Sequence, residues 1–203
     1  MFSLLPRSVP RRVTDPLVHL LARLGVTPNL LTIIGGAGNL GAAVLAGRGE
    51  FLPAGVVLLA ASALDLLDGA LARATGHVSR FGSILDATVD RISEGALLFG
   101  LLVWFSGRDQ REEVLLAAVA IIGSFLVSYV RARSEIAGLS LREGLFTRAE
   151  RVLVLGIGLI IDKVTIALWI LAVLASLTAA QRLWLAWRGT KGLQSSGKPD
   201  DTS

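Results

Sequence analysis

Four aspartates stand close together in the sequence at spacings that place them on helix faces. Asp65 and Asp68 are three residues apart, and Asp86 and Asp90 are four apart, so each pair lies on one side of a helix. The segment between the pairs is short and predicts antiparallel neighbouring helices, with all four carboxylates facing one cavity. Gly69 carries no side chain, which leaves room for a ligand to approach the first of these helices.

The surrounding sequence makes these carboxylates costly to leave unpaired. They lie between long apolar runs, and one charged residue at the centre of a bilayer costs roughly 3 kcal/mol on insertion scales. Hard cations bound through oxygen would neutralise them, and two divalent ions would balance four carboxylates. Such paired ions support displacement at phosphorus. For any single aspartate the alternatives are an ion relay in a transporter or an ion pair with Arg73 or Arg91.

The composition indicates one membrane domain. Of the 203 residues, 53% are hydrophobic and only 18% are charged, and the apolar residues gather in runs of membrane-spanning length. The absence of cysteine excludes disulfides and thiol chemistry. The net charge is +4, but the basic residues flank apolar segments and form no single solvated face. We therefore expect no nucleic-acid partner.

The apolar runs predict an all-α, polytopic membrane protein with six transmembrane helices. The predicted spans cover residues 29–47, 53–72, 82–105, 113–134, 149–162 and 164–187. An amphipathic juxtamembrane helix is expected over residues 10–25, lying at the membrane interface with one apolar side formed by Leu17, Val18, Leu20, Leu21 and Leu24. Residues 1–188 would form the single domain, and the polar residues 189–203 a disordered tail.

The distribution of basic residues predicts the orientation in the cell membrane. Sixteen of the 20 Lys and Arg residues fall on one side of the predicted arrangement. Because basic residues concentrate in cytoplasmic loops, both termini and the four aspartates are expected to face the cytoplasm. Some of these arginines could equally serve a binding site, and the sequence leaves both explanations open.

A glycine pattern inside the first predicted span imitates a nucleotide-binding loop. Gly36, Gly38 and Gly41 match the spacing G-x-G-x-x-G, which indicates dinucleotide binding only between a strand and a helix. Inside an apolar helix, small residues instead allow close packing of neighbouring helices, and this is the predicted role. Asn39, in the same span, either bonds across helices or faces the active cavity.

The aspartate segment resembles the signature of the CDP-alcohol phosphotransferase family. That signature reads D-x-x-D-G-x-x-A-R, eight further residues, and then G-x-x-x-D-x-x-x-D, and its fixed positions here are Asp65, Asp68, Gly69, Ala72, Arg73, Gly82, Asp86 and Asp90. The resemblance implies a six-helix membrane enzyme that moves a phosphatidyl or phosphoalcohol group from a CDP-linked donor to an acceptor hydroxyl and releases CMP. It also implies a homodimer.

The same resemblance implies roles for the aspartates. In the family they bind two divalent ions, usually Mg²⁺, with Mn²⁺ as the alternative. Carried over, Asp65, Asp68 and Asp86 would be the primary metal ligands. Asp90 would complete the metal site and act as the general base that takes the proton of the acceptor hydroxyl.

The CDP-lipid site is implied by residues on two segments. Gly69 and Arg73 would meet the CDP moiety together with Asp65 and Asp68, and Thr27 and Pro28 resemble the entry to the family's first helix, near the cytidine. Thr and Pro at these two positions are also typical of a helix N-cap and first turn, and simple capping explains them equally well.

Arginines toward the C-terminal half indicate the acceptor. One loop region carries Arg131, Arg133, Arg142, Arg148 and Arg151, and Arg182 ends the last span. The pattern resembles the phosphatidylinositol-phosphate synthase branch of the family, in which Arg131, Arg133, Arg151 and Arg182 would bind the phosphate of the acceptor. The implied substrates are CDP-diacylglycerol and a phosphorylated polyol, inositol 1-phosphate above all. The alternatives are a phosphatidylglycerophosphate synthase, which uses glycerol 3-phosphate, and an ion-coupled transporter.

Overall fold

The computed structural model describes residues 11–76, 79–140 and 144–196, and in this part of the chain every regular element is a helix. The seven helices there are α1 (Arg11–Arg23), α2 (Pro28–Gly47), α3 (Phe51–Thr75), α4 (Arg80–Ser106), α5 (Arg111–Ile136), α6 (Arg148–Ile160) and α7 (Val164–Ser196). The all-α prediction is confirmed.

Local signals set the helix starts that matter for the site. Thr27 caps α2 by accepting a hydrogen bond from the Leu30 backbone N–H at 3.3 Å, and Pro28 follows in the first turn. Ser79 caps α4 by accepting from Gly82 N–H at 2.9 Å. Gly76, with φ of +70°, ends α3 in the left-handed conformation that glycine adopts without strain.

Helix α2 organises the half of the bundle that holds the aspartates. It packs against both α3 and α4, whereas α3 and α4 make far less close backbone contact with each other. The two helices predicted to be neighbours therefore share α2 as their common packing partner, while their carboxylates approach each other at the site. The remaining helices follow in order around the bundle: α4 packs on α5, α5 on α7, α7 on α6 and α6 on α3.

Small residues allow these helices to approach closely. A β-carbon on Gly100 of α4 would collide with the backbone oxygen of Ala43 of α2, and one on Gly55 of α3 would lie 2.8 Å from the backbone oxygen of Gly156 of α6. In α2, a β-carbon on Gly36 would collide with the Val89 side chain. Close packing is therefore the role of Gly36, as the sequence predicted.

The surface of the bundle is apolar where a soluble protein would be polar. Large hydrophobic side chains stay exposed along both α5 and α7: Leu115, Val119, Ile122, Phe125, Ile166, Trp169, Val173 and Leu177. The buried core includes Ala46, Leu58, Leu97, Leu101 and Leu168. An apolar surface of this extent suits contact with lipid chains.

Each predicted span corresponds to one helix, α2 to α7. By length and composition, four helices in the described residues could cross a membrane: Pro28–Gly47, Phe51–Thr75, Arg111–Ile136 and Val164–Thr190. Helix α4 carries several charged residues, and α6 has only 13 residues. The count of six complete crossings therefore stays a prediction.

The two ends of the domain bear on the prediction in different ways. Helix α1 is present and packs on α3 with Val18 buried, while Leu17, Leu20 and Leu24 stay exposed on one side of the chain there, as expected of an apolar side that faces lipid. Helix α7 continues to Ser196, whereas the disordered tail was predicted to begin at residue 189. Gly189 fits closely against Leu139 there, which supports the longer helix; residues 197–203 lie outside the described part.

Candidate active site

The four aspartates of the signature come together beside α2. Asp65 and Asp68 of α3 are 8% and 7% exposed, and Asp86 and Asp90 of α4 are half-buried. Their charges are close enough to repel one another across the two helices, Asp65 acting on Asp90 and both Asp65 and Asp68 acting on Asp86. The predicted meeting of four carboxylates at one place therefore occurs, although the helices that carry them flank α2.

Two residues of α2 shape the space around the α3 carboxylates. A β-carbon on Gly35 would collide with Asp65 Oδ1, so glycine is what makes room for this side chain. Thr32, one turn earlier, donates its hydroxyl hydrogen bond to Asp68 Oδ2 at 2.5 Å. Neither residue was predicted from the sequence, because both resemble ordinary small residues of a membrane helix.

Arg148 lies among the carboxylates although the sequence assigned it no role in the site. Its Nη2 is 3.0 Å from Asp65 Oδ2 and 2.8 Å from Asp90 Oδ1, so one nitrogen joins α3 to α4. Arg148 is the first residue of α6, where Thr147 N–H donates to Glu150 Oε2 at 2.6 Å in a capping box. The pattern Thr-x-x-Glu at 147–150 is the sequence signal that locates this helix start.

The donor set fits divalent metal ions. Four carboxylates supply the hard oxygen ligands that Mg²⁺ and Mn²⁺ prefer. Asp65 Oδ1 is buried and has no hydrogen-bond partner among the described residues, so it has a free acceptor. Within those residues, the side chains as placed do not form a ready cluster of three metal ligands. Metal binding would therefore require carboxylates such as Asp65 to turn away from their present partners.

Arg151 is held by a residue that sequence reasoning missed. Its Nε and Nη2 donate to the two carboxylate oxygens of Glu94, at 2.5 and 2.9 Å, and its Nη1 donates to the backbone oxygen of Phe146 at 3.2 Å. Both partners of this bidentate pair are buried, with side chains 3% and 9% exposed. Glu94 lies one turn beyond Asp90 on α4, and that spacing is the only sequence signal for it.

A positively charged region surrounds the Glu94–Arg151 pair. Arg182 of α7 is buried and donates to Val127 O at 2.8 Å, and it is close enough to Arg131, Arg151 and Arg91 to be repelled by their charges. The structure therefore brings together three of the four predicted acceptor arginines and adds Arg91. Asn39 is buried at a small cavity shared with Arg148 and Arg151, so it faces the site.

Arg133 is not among the arginines of this cluster. Arg133 is exposed and follows Arg131 by two residues on α5, so the two side chains leave different sides of that helix. Arg131 itself donates to Glu135 at 2.9 Å. Arg142 lies outside the described residues.

The residues assigned to the CDP moiety lie at the start of α2 and in the C-terminal part of α3. Thr27 acts as the helix cap described above, so its capping role is confirmed and a second role stays a prediction. Gly69 is covered by Arg73, whose Nη1 would lie 3.3 Å from a β-carbon at that position. At the start of α4, Gly82 has Asn29 Oδ1 close by, 3.1 Å from where a β-carbon would lie.

Of the two ion pairs suggested from the sequence, that of Arg91 with Asp90 is present at 3.6 Å.

Known relatives match the chain along most of its length. It is 38% identical over 194 residues to the phosphatidylinositol phosphate synthase of Mycobacterium marinum, covering 90% of this chain and 83% of that relative. It is 41% identical over 179 residues to the archaetidylinositol phosphate synthase of Pyrococcus horikoshii, covering 86% of this chain and 93% of that one.

Solved structures agree with the fold. The crystal structure of Mycobacterium tuberculosis phosphatidylinositol phosphate synthase with CDP-DAG bound has a TM-score of 0.80 at 35% identity, covering 87% of this chain and 94% of that chain. The same enzyme in complex with manganese and citrate also gives a TM-score of 0.80, at 34% identity, covering 86% of this chain and 88% of that one. A sequence model of CDP-alcohol phosphatidyltransferases matches residues 25–190, and the chain belongs to this family.

Proposed function

We propose that the protein transfers a phosphatidyl group from CDP-diacylglycerol to a hydroxyl of inositol 1-phosphate, with release of CMP. The observation that carries this proposal is the placement of two features side by side. The four signature aspartates meet at the α2–α3–α4 junction, and the region next to them holds Arg91, Arg131, Arg151 and Arg182. The first feature suits a diphosphate donor, and the second suits an acceptor that carries its own phosphate.

The reaction is a displacement at the donor phosphorus that bears the diacylglycerol. The acceptor hydroxyl oxygen forms the new P–O bond, the bond to the CMP oxygen breaks, and CMP leaves with that electron pair. Asp90 takes the hydroxyl proton, since it lies at the acceptor side of the aspartates, within one turn of Glu94. Divalent ions, when bound, would neutralise the diphosphate and polarise the phosphorus.

The proposed metal ligands are Asp65, Asp68, Asp86 and Asp90, holding two Mg²⁺ ions, with Mn²⁺ able to replace them. The manganese complex of the related mycobacterial enzyme supports a divalent ion at this kind of site. The donor lipid would contact Thr27, Pro28, Gly69 and Arg73 as well as the first two aspartates. Arg131, Arg151 and Arg182, which lie near one another, would bind the acceptor phosphate. Arg133 was expected to share this role but leaves a different side of α5, so the proposal rests on the other three.

We place the site and both termini at the cytoplasmic side of the cell membrane, because that is where basic residues concentrate. A soluble acceptor and CTP-derived donors suit that side. We also propose a homodimer, which the family resemblance supports. A mass measurement in mild detergent tests the dimer, and only monomer under those conditions would contradict it.

An acceptor panel tests the proposed reaction. Purified protein with CDP-diacylglycerol and Mg²⁺ is offered inositol 1-phosphate, inositol, glycerol 3-phosphate or serine, and CMP release is measured. Release with inositol 1-phosphate alone is expected. Release with glycerol 3-phosphate but not with inositol 1-phosphate would move the enzyme to the phosphatidylglycerophosphate synthases. No CMP release with any acceptor would favour a transporter.

A further inference from the structure

Two buried arginines at the site are held in contrasting ways. Arg151 uses its planar fork on both oxygens of Glu94 and places a third nitrogen on Phe146 O, with 3% of the side chain exposed. Arg148 contacts its carboxylates through Nη2 alone, and 25% of its side chain is exposed. The buried Nε of Arg148 has no hydrogen-bond partner within the described residues. Arg151 is therefore fixed in place, whereas Arg148 is held by few contacts.

Arg148 places its positive charge between two carboxylates of the site. Asp65 and Asp90 belong to different helices, and the Arg148 nitrogen lies within 3.0 Å of an oxygen of each. A cation between two carboxylates offsets their repulsion and draws α3, α4 and α6 together. Any divalent ion bound by Asp65 must compete with this guanidinium for the same oxygen.

We propose that Arg148 is a resident counter-cation of the aspartate site: it bridges Asp65 and Asp90 when metal is absent and leaves them when metal binds. The inference rests on the proposed metal site. Arg148 is thus a positioning residue that keeps the carboxylates gathered and the metal-free protein stable. Its charge also weakens metal binding, since it must be displaced.

The test measures metal binding and stability rather than turnover. Mn²⁺ affinity is determined by electron paramagnetic resonance, and Tm by thermal unfolding with and without Mn²⁺, for the wild type and for Arg148→Gln. Because one competing charge is removed, Arg148→Gln is expected to bind Mn²⁺ about five- to tenfold more tightly. Its metal-free Tm should fall by roughly 5–10 °C, since two buried carboxylates lose their partner. Saturating Mn²⁺ should close most of that gap.

Arg111→Gln is the matched control. Arg111 is likewise the first residue of its helix and pairs with a carboxylate, Asp109, at 3.3 Å, but both side chains are more than four-fifths exposed. Its removal is expected to leave Mn²⁺ affinity and the Mn²⁺-induced change in Tm unaltered. Equal changes in both variants would mean that general charge, and not the bridge, controls metal binding, and would overturn the inference.

A wild-type measurement avoids any folding defect of the variant. Phenylglyoxal modification of Arg148 is followed by mass spectrometry with and without Mn²⁺, with Arg111 as internal reference. Mn²⁺ is expected to raise the labelling rate of Arg148 severalfold relative to Arg111, because the guanidinium leaves its carboxylates. Unchanged labelling, or Mn²⁺ affinity within twofold of wild type in Arg148→Gln, would overturn the bridge. Absence of Mn²⁺ binding by the wild type would instead contradict the metal site itself.

Discussion

The carboxylates of the site differ in what holds them. Asp68 accepts a short hydrogen bond from Thr32, while Asp65 and Asp90 share the Arg148 guanidinium. The helical spacings treated the four acids alike, and the family resemblance gave Asp90 a separate role as general base. Their partners could not be predicted because hydrogen bonds between helices depend on side chains that lie far apart in the chain, such as Thr32 and Asp68. The difference in partners suggests a difference in role among the four.

Asp90 is the aspartate whose replacement should separate chemistry from binding. Asp90→Asn keeps the size of the side chain and one oxygen but removes the proton acceptor. We expect CDP-diacylglycerol binding and Mn²⁺ binding to stay within a fewfold of wild type, while kcat falls by about 10²–10⁴, the usual loss for a general base. Binding is measured by calorimetry and turnover by CMP release. Full turnover, or complete loss of Mn²⁺ binding, would show that the general-base role is wrong.

Replacement of Arg182 tests the proposed acceptor pocket. Arg182→Lys keeps the charge but loses the fork that, in the proposed site, would bind two phosphate oxygens, so the KM for inositol 1-phosphate should rise about ten- to a hundredfold. The KM for CDP-diacylglycerol should stay near normal. Arg188→Lys, on the same helix and exposed beside Trp184, is the control and should change neither constant. An unaltered acceptor KM in Arg182→Lys would leave this arginine with a structural or orienting role.

Among the helices, α2 packs against both helices that carry the aspartates. Sequence patterns located all six span helices to within a few residues, apart from the longer α7, because apolar runs and the cap at Thr27 and Pro28 are local signals. The neighbours of each helix were not predictable in the same way. The short link between α3 and α4 suggested direct pairing, yet α2 packs on both, and only the three-dimensional packing reveals that Gly35 faces Asp65.

Gly35→Ala should therefore disturb the site although it replaces no polar side chain. The added methyl would collide with Asp65 Oδ1, and a misplacement of about 1 Å at a reacting centre can reduce the rate roughly 100-fold. Gly41→Ala is the matched control on the same helix, since a β-carbon there meets no neighbouring atom within 4 Å. CMP release by the two variants is compared. Similar activity in both would show that Asp65 can be displaced without consequence.

The whole molecule combines an apolar core with a polar site. The core is rich in alanine and leucine, and the site gathers charged side chains from α3, α4, α6 and α7. The composition predicted the apolar bundle and the signature predicted the aspartates. The Glu94–Arg151 pair was not predictable, because a lone glutamate in an apolar helix gives no sign of its partner.

Metal-dependent CMP release is the measurement that tests the central claim most directly. The wild-type protein and Asp86→Asn are reconstituted in lipid and given CDP-diacylglycerol and inositol 1-phosphate while Mg²⁺ is varied. Release is predicted to require both Mg²⁺ and inositol 1-phosphate in the wild type and to be abolished in Asp86→Asn at saturating Mg²⁺. CMP release that persists without divalent metal, or near-normal release by Asp86→Asn, would contradict the account.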